Sequence, residues 1–206
     1  MDKIKIAFLG IDGSGKSTVS DEFSKYLVQK GYDVKIVPFH KWVFADKLRS
    51  AFGRYIDKDR KDRNSPYSPQ KKSFSSFIKP PIAFIDNVLF YWLNAPKKKK
   101  QVFIYDRFIC ATQIKFMALN YRVKWFKFLW WNIKPDYAFI FDVSIEDSLR
   151  AQIERKDPYL YTEEQLSVER NMYLAFAKKH NFPIIQRTSR KETFDNVVAN
   201  FEENVL

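Results

Sequence analysis

Short apolar runs rich in β-branched and aromatic residues recur at Ile4–Leu9, Val34–Phe39, Val102–Tyr105, Tyr137–Val143 and Pro183–Ile185. Runs of this length and make-up predict strands. Between them, apolar residues return at helical spacing over Ser17–Lys30, Phe44–Phe52, Phe84–Leu93, Ile145–Arg155, Glu163–Lys179 and Glu192–Leu206. Strand alternating with helix predicts an α/β fold whose parallel sheet is covered by helices on both faces. No repeat and no shift in composition divides the chain, so residues 1–206 are read as a single domain. Gly53–Lys72, GRYIDKDRKDRNSPYSPQKK, has no apolar period and is read as a flexible basic segment. The lysine run Lys97–Lys100 reads as a soluble turn.

Composition narrows the class. Hydrophobic residues make up 46% and charged residues 29% of 206, with Gly 5 and Pro 9, which excludes collagen-like and disordered chains. A single cysteine, Cys110, makes no internal disulfide, and with only two histidines there is no zinc-type cluster. A reducing cytoplasm is therefore expected, and no window is long and apolar enough to span a bilayer. Lys and Arg number 36 against 24 Asp and Glu, a net charge of +12 that attracts anions without choosing among them.

Gly10-Ile11-Asp12-Gly13-Ser14-Gly15-Lys16-Ser17 fits G-x-x-x-x-G-K-[ST] and stands between the first predicted strand and the helix that follows. The glycines let successive amide N–H groups turn inward on phosphate oxygens, and the opening helix adds the positive end of its dipole. In such a cradle Lys16 bridges the outer phosphates, Ser17 holds Mg²⁺ and Thr18 reaches an inner phosphate. A nucleoside triphosphate with Mg²⁺ is the expected ligand. Asp106-Arg107 follows the third predicted strand, at the edge where open α/β sheets bind ligands. An acid there can organise Mg²⁺ or accept a proton, and the guanidinium can neutralise a transferring phosphoryl group.

FLGIDGSGKST, then ADKLRS, YDRF and PDYAFIFDVSIEDSLRAQIERK, taken in this order, resemble the thymidylate kinase group of P-loop nucleoside-monophosphate kinases over nearly the whole chain. The resemblance implies a P-loop kinase fold with a five-stranded parallel sheet in the order 2-3-1-4-5, and transfer of the ATP γ-phosphoryl group to a nucleoside monophosphate such as dTMP. It implies that Gly10, Asp12, Gly13, Ser14, Gly15, Lys16, Ser17 and Thr18 bind the triphosphate, and that Ser17 and Asp106 hold the metal. On the acceptor side it points to Asp12, Arg49, Phe84, Asn87 and Arg107. Because Gly13 follows the P-loop acid, the resemblance implies that the catalytic cation comes from a lid near 155–163, Arg155 or Lys156 with Arg150 one helical face earlier, and Arg155 completes the set Lys16, Asp106 and Arg107. It also implies a homodimer.

Three departures bear on the acceptor. Val88 stands where the family carries a base-reading arginine, Leu9 replaces an acid before Gly10, and Phe39-His40-Lys41-Trp42 replaces an arginine-glutamate motif. That last stretch is similar to deoxynucleoside kinases, which makes a nucleoside acceptor the first alternative. A non-catalytic ATP-binding partner protein is the second. The aromatic and basic stretch 121–131, YRVKWFKFLWW, reads as an amphipathic helix that packs in the core or a dimer, with peripheral membrane contact the lesser reading. No nucleic-acid motif is present, and none is expected as partner.

Overall fold

The computed structural model describes residues 3–38, 75–119, 121, 123, 127–156 and 161–205. Five parallel strands, β1 (Lys3–Gly10), β2 (Asp33–Val37), β3 (Gln101–Asp106), β4 (Tyr137–Asp142) and β5 (Ile184–Gln186), form one sheet in the order β2-β3-β1-β4-β5. This is the order that the family resemblance implies. The described helices are α1 (Lys16–Gln29), α2 (Ser75–Leu93), α3 (Ile109–Ala118), α4 (Lys127–Asn132), α5 (Ile145–Glu154), α6 (Glu163–His180) and α7 (Arg190–Val205).

Alternation along β1 sorts the core into two layers. Ile4, Ile6 and Phe8 point to the face covered by α1 and α7, where Phe8 meets Phe139 at 5.3 Å and Phe23 meets Phe201 at 5.1 Å between ring centroids. Ala7 and Leu9 point to the other face and pack with residues of α2, α3 and α6, including Tyr91, Ile114 and Phe176. With both faces buried, the inner strands β1, β3 and β4 read as the continuous apolar runs seen in the sequence.

The helices depart from the sequence pattern in three places. α2 begins at Ser75 rather than Phe84 and runs through Pro80 and Pro81. Proline is costly in a helix interior, so the pattern places the start after the pair, whereas the described helix carries both, at the loss of their two amide hydrogen bonds. α3 has no counterpart among the expected helices. Eight of its ten residues are buried, so it shows no apolar stripe to read. The stretch 121–131 is not one amphipathic helix: α4 is described over Lys127–Asn132, and Tyr121 and Val123 ahead of it lie outside any helix. Its two tryptophans, Trp130 and Trp131, are buried in the core. The expected helix Phe44–Phe52, the basic segment 53–72, Arg49 and His40 lie outside the described residues, as do 157–160 of the expected lid.

The exposed apolar row lies instead on α2, where Ile78, Ile82, Ile85, Leu89 and Trp92 follow one another at alternating steps of four and three. No helix of the described residues is long and apolar enough to cross a membrane.

Burial separates neighbours on α4. Trp130 is 0% exposed and stacks edge-on against Phe84 at 5.1 Å, whereas Phe128 is 62% exposed. Trp130→Ala is expected to cost about 3–5 kcal/mol in urea denaturation. Phe128→Ala is expected to change stability by less than about 0.5 kcal/mol, and equal losses would contradict the core reading of this stretch.

Candidate active site

The loop between β1 and α1 winds through three glycines with positive φ: Gly10 at 141°, Gly13 at 81° and Gly15 at 86°. Two of them are also pinned by close approach. A Cβ on Gly10 would lie 2.3 Å from the Phe141 carbonyl oxygen of β4, and one on Gly13 would lie 3.0 Å from the Ser148 carbonyl oxygen of α5. Two other helix starts are closed by side chains: Ser144 accepts from the Asp147 amide at the start of α5, and Thr162 and Gln165 form a capping box at the start of α6. α1 begins at Gly15 with no side-chain cap and no acid in its first turn. Its leading amides are thus offered to an incoming anion rather than to the protein. Ser17 and Thr18 stand exposed at the mouth of the loop.

Lys16 folds back over this cradle, its Nζ donating to the Ile11 carbonyl at 2.7 Å and the Ser14 hydroxyl at 3.1 Å. Burial, reinforced by the nearby Arg107 charge, lowers its pKa to about 7. Main-chain and hydroxyl oxygens stand in for the phosphate oxygens this ammonium is suited to meet.

β3 carries Asp106 to the same edge, paired in register with Phe8. Arg107 turns the chain there with φ 76°, a left-handed conformation that costs a non-glycine residue about 1–3 kcal/mol. Both its backbone groups are held: its amide donates to the Phe8 carbonyl at 3.1 Å, and its carbonyl accepts from the Tyr91 hydroxyl at 3.1 Å. The strained turn aims the buried guanidinium back at the loop, where it pairs with Asp12 and donates to the Tyr173 hydroxyl at 3.4 Å.

Sequence reasoning did not single out the residues that complete this cluster. Lys115 on α3 reaches the second oxygen of Asp12 at 3.3 Å and the Tyr161 hydroxyl at 2.8 Å. Ser148 on α5 donates to the Asp12 carbonyl at 2.6 Å, and Arg187 after β5 donates to the Gly13 carbonyl at 2.8 Å. Burial opposes ionisation of Asp12, but Arg107, Lys115 and Lys16 outweigh it and hold the carboxyl far below the usual carboxylate range. Asp142, at the end of β4, takes a two-pronged ion pair from Arg170 of α6 at 2.6 and 2.8 Å, which fixes α6 over the site. The signal for Lys115 was faint, a lone charge in a buried run; Glu169 and Tyr173 stand four apart on α6 with Arg170 between them, and Tyr161 precedes the helix.

The other expected residues divide. Phe84 packs against Trp130. Asn87 is buried, its amide donating to the Ala83 carbonyl at 2.6 Å within α2 and accepting from the Thr112 hydroxyl of α3 at 3.1 Å, so both ends of the group are satisfied inside the protein. Val88 packs against the core. Arg155 caps the exposed C-terminal end of α5, beside the undescribed residues 157–160. Arg150 pairs with Asp147 on its own helix.

A parallel sheet in this order, with a glycine-wound lysine loop at its central strand and an aspartate-arginine pair on the next, defines a P-loop kinase fold. No protein-family model matches the chain. It is 24% identical over 190 residues to a probable thymidylate kinase of Sulfurisphaera tokodaii, covering 91% of this chain and 89% of that protein. It is 26% identical over 208 residues to a thymidylate kinase of Mycoplasma mobile, covering 97% and 91%. In fold it is similar to thymidylate kinase from Ehrlichia chaffeensis, with TM-score 0.61 and 18% identity over 98% of this chain and 100% of that one. It is also similar to deoxyadenosine kinase from M. mycoides with the products dCMP and a flexible dCDP bound, with TM-score 0.60 and 18% identity over 97% and 100%. The chain is a thymidylate kinase-like P-loop phosphotransferase.

The lowered Lys16 pKa has a measurable consequence. Above pH 7 the ammonium of the ligand-free protein has lost much of its proton, and a polyphosphate beside it restores the charged form. Nucleotide binding at pH 8 is therefore expected to take up a proton, seen as a calorimetric enthalpy that varies with the ionisation enthalpy of the buffer. Lys16→Met is expected to remove that dependence; a buffer-dependent enthalpy that survives it would contradict the assignment.

Proposed function

We propose that this protein transfers the γ-phosphoryl group of ATP to a nucleoside monophosphate, with dTMP or a close relative the first acceptor to test. The observation that carries this reading is the convergence of Lys16 in its glycine cradle with Arg107 and Asp12 on one strand edge. In the proposed reaction an acceptor oxygen attacks the γ-phosphorus, the bond to the β–γ bridging oxygen breaks, and ADP leaves with that electron pair. The protein has little covalent chemistry to perform, so its contribution is positioning and charge neutralisation. The amides of Gly13–Thr18 and the Lys16 ammonium bind the donor phosphates, Arg107 faces the transferring group, and Arg155 supplies a further cation from the lid. Arg49 would contact the acceptor phosphate, with Phe84 and Asn87 lining the acceptor side.

The donor set suits Mg²⁺. Among the described residues no group of three or more His, Cys, Asp or Glu is arranged to cage a metal. Mg²⁺ is commonly held by one or two protein oxygens plus substrate phosphates, and Ser17 with Asp106 supply such a pair of hard oxygen ligands. When bound, the ion would neutralise charge on the β- and γ-phosphate oxygens.

A nucleoside acceptor is the second reading. It is favoured by Val88, which leaves α2 without a cation at that position, and by the fold likeness to a deoxyadenosine kinase. A panel of dTMP, dUMP, CMP, thymidine and deoxyadenosine, followed by ADP release, separates the two. Turnover with monophosphates alone supports the first reading and turnover with nucleosides alone the second. Nucleotide binding without any turnover would overturn both in favour of a non-catalytic binder. Lys16→Ala is expected to lower kcat/KM by about 10²-fold or more.

We also propose a homodimer. The exposed α2 row Ile78, Ile82, Ile85, Leu89 and Trp92 supports it, since that spacing is the one that seats one helix on another. Ile85→Glu is expected to halve the mass in sedimentation equilibrium, and a monomeric parent would end the proposal.

A further inference from the structure

α6 turns Glu169 and Tyr173, one helical turn apart, toward the Asp12–Arg107–Lys115 cluster. Glu169 is 0% exposed, and neither of its carboxylate oxygens has a hydrogen-bond partner. An ionised carboxylate in that position would be bare, and burying one without donors is among the costliest arrangements a fold can hold. The groups that face it are Asp12 and Lys16 from the loop, Arg107 from the turn after β3, Lys115 from α3, Tyr161 before α6, and Tyr173 on its own helix. The hydrogen bonds of Lys115 and of the Arg107 guanidinium described above go to Asp12, Tyr161 and Tyr173 rather than to Glu169.

We propose that Glu169 is a positioning residue, kept as the neutral acid, so that the cluster around Arg107 and Lys115 stays one charge more positive toward an anionic acceptor than it would with Glu169 ionised. Ionising Glu169 would add one negative charge beside Arg107, Lys115 and Lys16 and weaken their pull on an anion accordingly. The acceptor it serves is a phosphate-bearing one, so the inference rests on the monophosphate reading above. Glu169 is too buried to touch the acceptor itself and acts through the two cations. The direction of its titration agrees: burial raises the pKa above that of an ordinary glutamate, and the pull of Lys115 and Arg107 offsets this only in part.

Linkage fixes the sign. An acid with a raised folded-state pKa contributes its stability in full below the ordinary value of 4.5, and that contribution is lost as pH rises through the folded value. Glu169→Gln keeps the shape and the neutral state at every pH. We expect it to match the parent in thermal midpoint near pH 5 and to exceed it by several degrees near pH 8.5. The dTMP KM of the parent should then rise with pH by about tenfold relative to Glu169→Gln, with kcat moving much less. ¹³C-carboxyl NMR of the parent, with Glu169 assigned by its absence in the variant, reads the same titration without relying on a substitution.

Three results would overturn the proposal. One is a Glu169→Gln protein less stable than the parent at high pH, which would mark an ionised structural ion pair. Another is a Glu169 carboxyl that titrates at or below 4.5. The third is parallel KM profiles in two proteins that both turn over dTMP. Failure of the function reading looks different: the parent then binds no anionic acceptor at any pH, which removes the acceptor role, while the titration still decides the charge of Glu169.

Discussion

One carboxylate ties the catalytic edge of this sheet together. Asp12 gives one oxygen to Arg107 and the other to Lys115, while its main-chain carbonyl accepts from Ser148. Through these three bonds the loop after β1 is anchored to the turn after β3, to α3 and to α5. The ion pairs are shielded, with the Arg107 side chain 8% exposed, so removal of one partner would strand a charge at a cost of about 3–5 kcal/mol. The strained φ of Arg107 makes sense in this setting. That turn brings a residue at the end of β3 back across to β1, and two backbone hydrogen bonds together with the Asp12 pair hold it there.

Much of the architecture could be read directly. The five apolar runs became the five strands, because a sheet covered on both faces demands uninterrupted apolar residues. The glycine loop could be read because its chemistry is local: spacing alone places amides, lysine and hydroxyl around one anion. α3 was hidden for the opposite reason. Its sequence Ile-Cys-Ala-Thr-Gln-Ile-Lys-Phe-Met-Ala is buried on almost every side, and a helix without a wet face carries no period. Missing α3 meant missing Lys115, since a lone lysine says nothing about which acid it will meet 103 positions away. Glu169 shows the same limit. On sequence it is one of several acids near the start of α6, and only packing distinguishes the carboxyl sealed inside from its wet neighbours Glu163 and Glu164.

The acceptor side is where resemblance and structure pull apart. The family pattern sends attention to α2, yet Phe84 is packed on Trp130, Val88 lies against the core, and the Asn87 amide is bonded at both ends within the protein. None of these three presents a free charge. The cations described at this edge come from β3 and α3 instead, with Arg107 and Lys115 drawn together by Asp12. On the proposed monophosphate reading, a site organised this way would recognise its acceptor through the anionic end more than through the base. Discrimination between bases by hydrogen bonding needs a polar group left unpaired in the wrong complex. The Asn87 amide, already satisfied, imposes little such penalty, so on the proposed reading selectivity rests on charge and shape, the properties that Lys115 and the sealed Glu169 would govern.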